Sequence, residues 1–125
     1  MSAKYLVDST ILIDHLNGIS ASTEWLSRLH SDEAVISAVT RAEVLVKAGD
    51  AWEQVMSLLE EYPCLPIGAD EADIAAGLRN LYKIKLPDAF QAALARNEDL
   101  ILVTRDAADF KKIPDLEVKI PYRLV

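Results

Sequence analysis

The stretch from Lys4 to Asp14 reads KYLVDSTILID and limits the fold more than any other part of the chain. Tyr5, Leu6 and Val7 form an apolar, β-prone run, and Asp8 follows them directly. Ser9 and Thr10 are small hydroxyl residues suited to capping a helix. Ile11, Leu12 and Ile13 then resume an apolar pattern that stops in the polar stretch 14–18. A strand that is apolar on both faces belongs to a parallel sheet covered on both sides. It carries Asp8 to its C-terminal end, where open α/β sheets form their ligand crevice.

The rest of the sequence repeats this alternation of strand-length apolar runs and helical patterns, the signature of a parallel, doubly wound sheet. Helices are expected over about 10–16 and 22–30, the second with Trp25, Leu26 and Leu29 as its inward stripe. A strand follows at 34–37. Thr40 is read as the start of a helix through Glu43, Val44, Leu45 and Val46, and Trp52, Val55, Leu58 and Leu59 mark another to about 61. The segment 62–67 carries two prolines and reads as an edge strand, since proline cannot donate to the ladder. Helices at about 70–82 and 88–97 follow, with Pro87 suited to a first helical turn. Residues 100–103 are the strongest strand, 106–112 a turn and short helix, and 118–120 a last strand. The expected architecture is a three-layer α/β/α sandwich with a mostly parallel central sheet.

At 125 residues the chain makes one domain, spanning 1–125, with room for a real core. Hydrophobic residues make up 51% and charged ones 26%, as in compact soluble proteins. No apolar run approaches a membrane span, and MSAKYLVDST has no secretory leader pattern. A single cysteine, Cys64, cannot form an internal disulfide, which suits a cytoplasmic protein. The net charge of −7 argues against a broad basic surface for gripping nucleic acid. A cluster of four carboxylates would account for −4 of that −7, and bound divalent ions would neutralise it.

Four acids fall at strand ends or helix starts: Asp8, Glu43, Asp88 and Asp106, with Asp109 a rival to the last. Each has a plainer reading. Asp8 is placed to cap the helix that follows it. Thr40-Arg41-Ala42-Glu43 matches a capping box, a use of Glu43 that competes with ligation. Asp88, in a first helical turn, is favoured there by the helix dipole. Ala92 and Ala95 are small enough to let a ligand approach that face, Gln91 is placed to orient one, and Phe90 and Leu94 pack the other way. Asp106 follows its strand more directly than Asp109, the position where such sheets place ligand groups. Carboxylates without partner His or Cys suit hard cations such as Mg2+ or Mn2+, which activate water and stabilise charge at phosphorus.

Other chemistries lack their parts. His15 and His30 have no metal-ligand spacing and read as surface residues, and Cys64 reads as packing. No Gly-rich phosphate loop or nucleophile elbow is present. Lys83, Lys111 and Lys112 read as solvated charges, while Lys85 and Arg105 lie beside the acids, within reach of phosphates.

These residues resemble the PIN-domain ribonucleases, and among them the VapC toxins of toxin–antitoxin pairs. YLVDSTILID is similar to the family's opening strand with its first acid, and SAVTRAEVL to the segment with the second. KIKLPDAFQAALA resembles the block with the third, and LILVTRDAADF the closing block. The position of Asp106 is often asparagine in relatives, with an acid just before the phenylalanine, where this chain has Asp109. The resemblance implies acids at the sheet's C-terminal edge holding Mg2+ or Mn2+, hydrolysis of RNA, a small antitoxin that wraps the protein, and a homodimer. A DNA nuclease of related fold and a catalytically silent binding module are the competing readings. A receiver-type phosphoacceptor would need an early acidic pair, and a haloacid-dehalogenase-like phosphatase an Asp two residues after Asp8, where Thr10 stands.

Overall fold

A computed structural model describes residues 3–124; Met1 and Ser2, on which part of the expectation about a secretory leader falls, and Val125 lie outside the described residues. Among the described residues five short strands form one sheet: β1 (Tyr5–Val7), β2 (Ala34–Ser37), β3 (Cys64–Leu65), β4 (Ile101–Val103) and β5 (Val118–Lys119). Their order is β3-β2-β1-β4-β5, and every pairing is parallel. The helices are α1 (Ser9–Leu16), α2 (Ser20–Ser27), α3 (Ala38–Val46), α4 (Trp52–Leu59), α5 (Ala69–Tyr82) and α6 (Leu86–Asn97). Short 3-10 turns lie at Gly49–Ala51 and Phe110–Lys112.

Because strand side chains alternate faces, the three central strands feed two cores. Leu6, Val35 and Leu102 point into one, with Ala75 and Leu78 of α5 and Ala89, Ala92 and Ala93 of α6. Tyr5, Val7, Ala34, Ile36 and Val103 point into the other, with Ile11 and Leu12 of α1, Trp25 of α2, Val44 of α3, and Val55 and Leu59 of α4. The expected three-layer sandwich is the observed one. The proline-flanked segment is an edge strand, as expected, yet Cys64 on it is exposed rather than packed.

Register brings the site together. Leu6 pairs with Leu102 and Val7 with Val103, and the Asp8 amide then donates to the Val103 carbonyl at 2.8 Å. Connections run to one side of β1 through β2 and to the other through β4, so the order reverses between β1 and β4. That reversal is where open α/β sheets bind ligands, and Asp8 and Thr104 are the residues that follow those two strands.

Two local expectations are corrected, the cap of α3 and the open face of α6. The helix α3 starts at Ala38, so its cap is Ser37, whose hydroxyl accepts from the Thr40 amide at 3.0 Å; the capping box from Thr40 to Glu43 does not form. Of the apolar run after Glu43 only Val44 is buried, while Val46 is 82% exposed. Ala92 and Ala95 are fully buried against α5 and β-sheet residues, and Leu94 and Phe90 join the same core instead of packing the other way. Their small size serves close helix packing, not ligand access. Ala92→Leu is therefore expected to destabilise the fold by about 1–3 kcal/mol through overpacking, measured by urea denaturation. Unchanged stability would restore the idea of an open face.

Candidate functional site

Asp8, Ser9, Thr10, Glu43, Lys85, Pro87, Asp88 and Asp106 line one cavity of about 170 Å³. Four expected acids from four separate segments thus share one space. A larger cavity of about 350 Å³, lined by Leu26, Leu29, His30, Ser31, Ala34, Glu61 and Tyr62, lies between α2 and the end of α4. It contains a single carboxylate and no convergent polar set, so the smaller cavity is the better candidate for chemistry.

Asp8 is 5% exposed and held on both oxygens. The Thr10 and Thr104 hydroxyls donate to Oδ2 at 3.0 and 2.9 Å, and the Gln91 side-chain amide donates to Oδ1 at 3.1 Å. Asp8 occupies the position before α1 but makes no capping bond with its side chain. The two threonines also tie down the chain after β4. Thr10 Oγ1 accepts from the Arg105 amide at 3.2 Å, and Thr104 Oγ1 accepts from the Asp106 amide at 3.1 Å. Gln91, expected to face a ligand, is instead 1% exposed. Its amide also donates to Thr40 Oγ1 at 2.7 Å, and its carbonyl accepts from the Ser37 hydroxyl.

Asp88 enters from the first turn of α6, behind Pro87. Its carboxyl is pushed up from 3.8 to about 6, first by burial and then by repulsion from Asp8, Asp109, Glu43 and Asp106. Glu43, one turn along α3, is also raised by burial and by Asp8, against the Ser9 hydroxyl, which favours the charged form. Asp106 is exposed and lines the cavity. Asp109 does not line it; its side chain pairs with Lys112 at 3.1 Å, while its charge still acts on Asp88.

The sequence reading missed Asp14. It is 4% exposed, accepts both Nε and Nη2 of Arg105 at 2.6 and 3.1 Å, and accepts the Tyr122 hydroxyl at 2.8 Å. The Tyr122 hydroxyl is pushed up to about 12, mainly by burial. Arg105 is therefore not a free phosphate contact: it clamps the chain after β4 onto α1. The available signal was the spacing of Asp14 three residues after buried Ile11, which puts both on one helix face. His30 is exposed, and His15 bonds Thr23 through Nδ1 at 2.7 Å. Among the described residues, Lys85 is the one basic residue that lines the cavity.

Among the described residues, no group of three or more His, Cys, Asp or Glu side chains is set to enclose an ion as the structure stands. The donor set itself, all oxygen and strongly negative, suits Mg2+ or Mn2+.

The shift at Asp88 has a thermodynamic sign. Between about pH 4 and 6 the folded chain keeps a proton on Asp88 that the unfolded chain has lost, so stability falls as pH rises through that window. In chelator at pH 7, Asp88→Asn is expected to be more stable than wild type by about 1 kcal/mol, after discounting for solvent screening. The difference should vanish near pH 4. Urea denaturation at both pH values checks this, and a variant less stable at pH 7 would show that the charge is favourably held.

Comparison with known proteins agrees with this geometry. A family model for the PIN domain matches residues 5–116. "Ribonuclease VapC" of Rickettsia bellii is 29% identical over 127 residues, covering 90% of this chain and 92% of the relative. A chain of a toxin–antitoxin complex from Klebsiella pneumoniae superimposes with a TM-score of 0.85 at 33% identity, covering 97% of this chain and 100% of the other. FitAcB from Neisseria gonorrhoeae does so with a TM-score of 0.82 at 25% identity, covering 96% and 99%. With its acids ranged round the β1–β4 crevice and the family match running through nearly the whole sequence, the chain belongs to the PIN-domain family.

Proposed function

We propose that this protein is a metal-dependent endoribonuclease, the toxin of a toxin–antitoxin pair, which hydrolyses RNA phosphodiester bonds. The observation that carries the reading is the meeting of Asp8, Glu43, Asp88 and Asp106 around one cavity at the sheet's reversal point. The family membership supports nuclease chemistry, the ribonuclease name of the Rickettsia bellii relative supports RNA as substrate, and the Klebsiella pneumoniae complex supports a cognate antitoxin. A homodimer is part of the proposal by family resemblance. Among the described residues no helix is long and apolar enough to cross a membrane.

Asp8, Glu43, Asp88 and Asp106 would hold Mg2+ or Mn2+, with Asp109 adding negative charge that acts on Asp88. Such an ion, when bound, supplies an activated water and neutralises charge on the phosphate. The protein's own contribution is placement. Three donors fix the plane of the Asp8 carboxylate, so it need not reorganise on binding. The Thr10 and Thr104 hydroxyls and the Asp14–Arg105 clamp hold the segment bearing Asp106 against α1. Lys85 offers a cation at the cavity wall for a substrate phosphate. A DNA nuclease would use the same site, and parallel assays on RNA and DNA separate the two. A silent binding module would cut neither.

Asp8→Asn and Asp88→Asn are each expected to lower RNA cleavage by more than about 100-fold, beyond what loss of a supporting contact costs, while circular dichroism shows a retained fold. Asp106→Asn is expected to reduce activity more than Asp109→Asn, because Asp106 lines the cavity and Asp109 is engaged by Lys112. Wild-type cleavage by the folded Asp8 and Asp88 variants would refute the assignment, and a dead Asp109→Asn beside an active Asp106→Asn would exchange the two roles.

A further inference from the structure

We propose that Gln91 is a positioning residue for the acidic site, setting Asp8, Glu43 and Asp88 in register for divalent-metal binding; this rests on the metal-dependent reading above and deepens it. Gln91 lies on α6 among Ala89, Ala92 and Leu94, where a plain apolar side chain would satisfy packing. A buried primary amide there is unfavourable unless its hydrogen-bonding capacity is filled. Both of its polar atoms are paired, with three residues from two other segments. Both amide hydrogens are used, on Asp8 Oδ1 after β1 and on Thr40 Oγ1 in α3, and the carbonyl receives the Ser37 hydroxyl at the start of α3.

The orientation of the amide follows from its partners. A carboxylate can only accept, so the NH2 end must face Asp8 and the carbonyl end must face the Ser37 hydroxyl. Spacing then links the network to the acids. Gln91 lies three residues after Asp88, and Thr40 three residues before Glu43, so each is about one turn from an acid on the same helix. Ser37 in turn caps α3 through the Thr40 amide. One side chain thus joins α6, one turn beyond Asp88, to the end of β1 and the first turn of α3. Breaking it frees one oxygen of Asp8 and loosens α3 against α6, while the contacts from Thr10 and Thr104 to the other oxygen stay in place.

A residue that supports a ligating carboxylate is felt in metal affinity, typically 10–100-fold, whereas a purely structural residue is felt in stability alone. The test is a titration with Mn2+ followed by electron paramagnetic resonance of the free ion, well below the melting temperature of each protein, with RNA cleavage measured in parallel. Gln91→Met is expected to raise the half-saturating Mn2+ concentration by at least about 10-fold, with cleavage partly restored at saturating Mn2+. Thr40→Val, which removes one anchor of the amide without removing Gln91, is expected to shift it in the same direction by less, and it decides the question if Gln91→Met does not fold. Leu59→Ala, in the opposite core, is expected to lower the melting temperature without moving the midpoint. Wild-type Mn2+ affinity in the folded variants would overturn the role of Gln91 alone. No Mn2+ uptake by wild type would overturn the metal-dependent reading and the role of Gln91 with it.

Discussion

The structure turns on one carboxylate held from three sides. Asp8 stands at the end of the central strand, and Thr10, Thr104 and Gln91 together occupy both of its oxygens. Those donors come from α1, from the chain after β4 and from α6, so fixing Asp8 also fixes the layers of the sandwich around the crevice. Each threonine hydroxyl is used twice, donating to Asp8 and accepting a main-chain amide from residues 105 or 106. Among the described residues no buried side-chain polar atom lacks a partner. Fully satisfied buried networks of this kind favour a single arrangement.

Around that fixed point the remaining acids are crowded, and the crowding opposes the charged fold. Asp88 shows it most, its carboxyl held up to about 6 by burial and by four neighbouring carboxylates. Such an arrangement persists where the charge has a use. A divalent cation would convert the repulsion into attraction, which explains how a chain of net charge −7 can serve a polyanionic substrate. Positive charge near the site is local: Lys85 lines the cavity, while Arg105 is spent on Asp14.

The sandwich, the edge position of β3 and the meeting of four acids were legible because each rests on local pattern. The apolar triplet before Asp8 gives a buried strand, Pro87 before Asp88 gives a helix start, and two prolines give an edge. The family resemblance in the blocks around Asp8, Glu43, Asp88 and Asp106 pointed the same way. What escaped was pairing across the chain. Asp14 and Arg105 are 91 positions apart, Gln91 and Asp8 83 apart, and nothing within either window announces its partner. The misplaced cap has a different cause. Ser37 and Thr40 are both good N-cap residues, and the strand ending at Ser37 let α3 begin two residues before Thr40, leaving Glu43 free for the cavity. Ala92 and Ala95 were misread because small residues suit ligand access and close helix packing equally well, and only the position of α5 decides.

The most direct measurement is anomalous diffraction at the manganese edge from crystals grown with Mn2+. The account predicts a peak in the cavity, within coordinating distance of Asp8 and Asp88 and with Asp106 or Glu43 drawn toward it. Well-diffracting crystals with no peak there, or with manganese only on acids elsewhere on the surface, would contradict it.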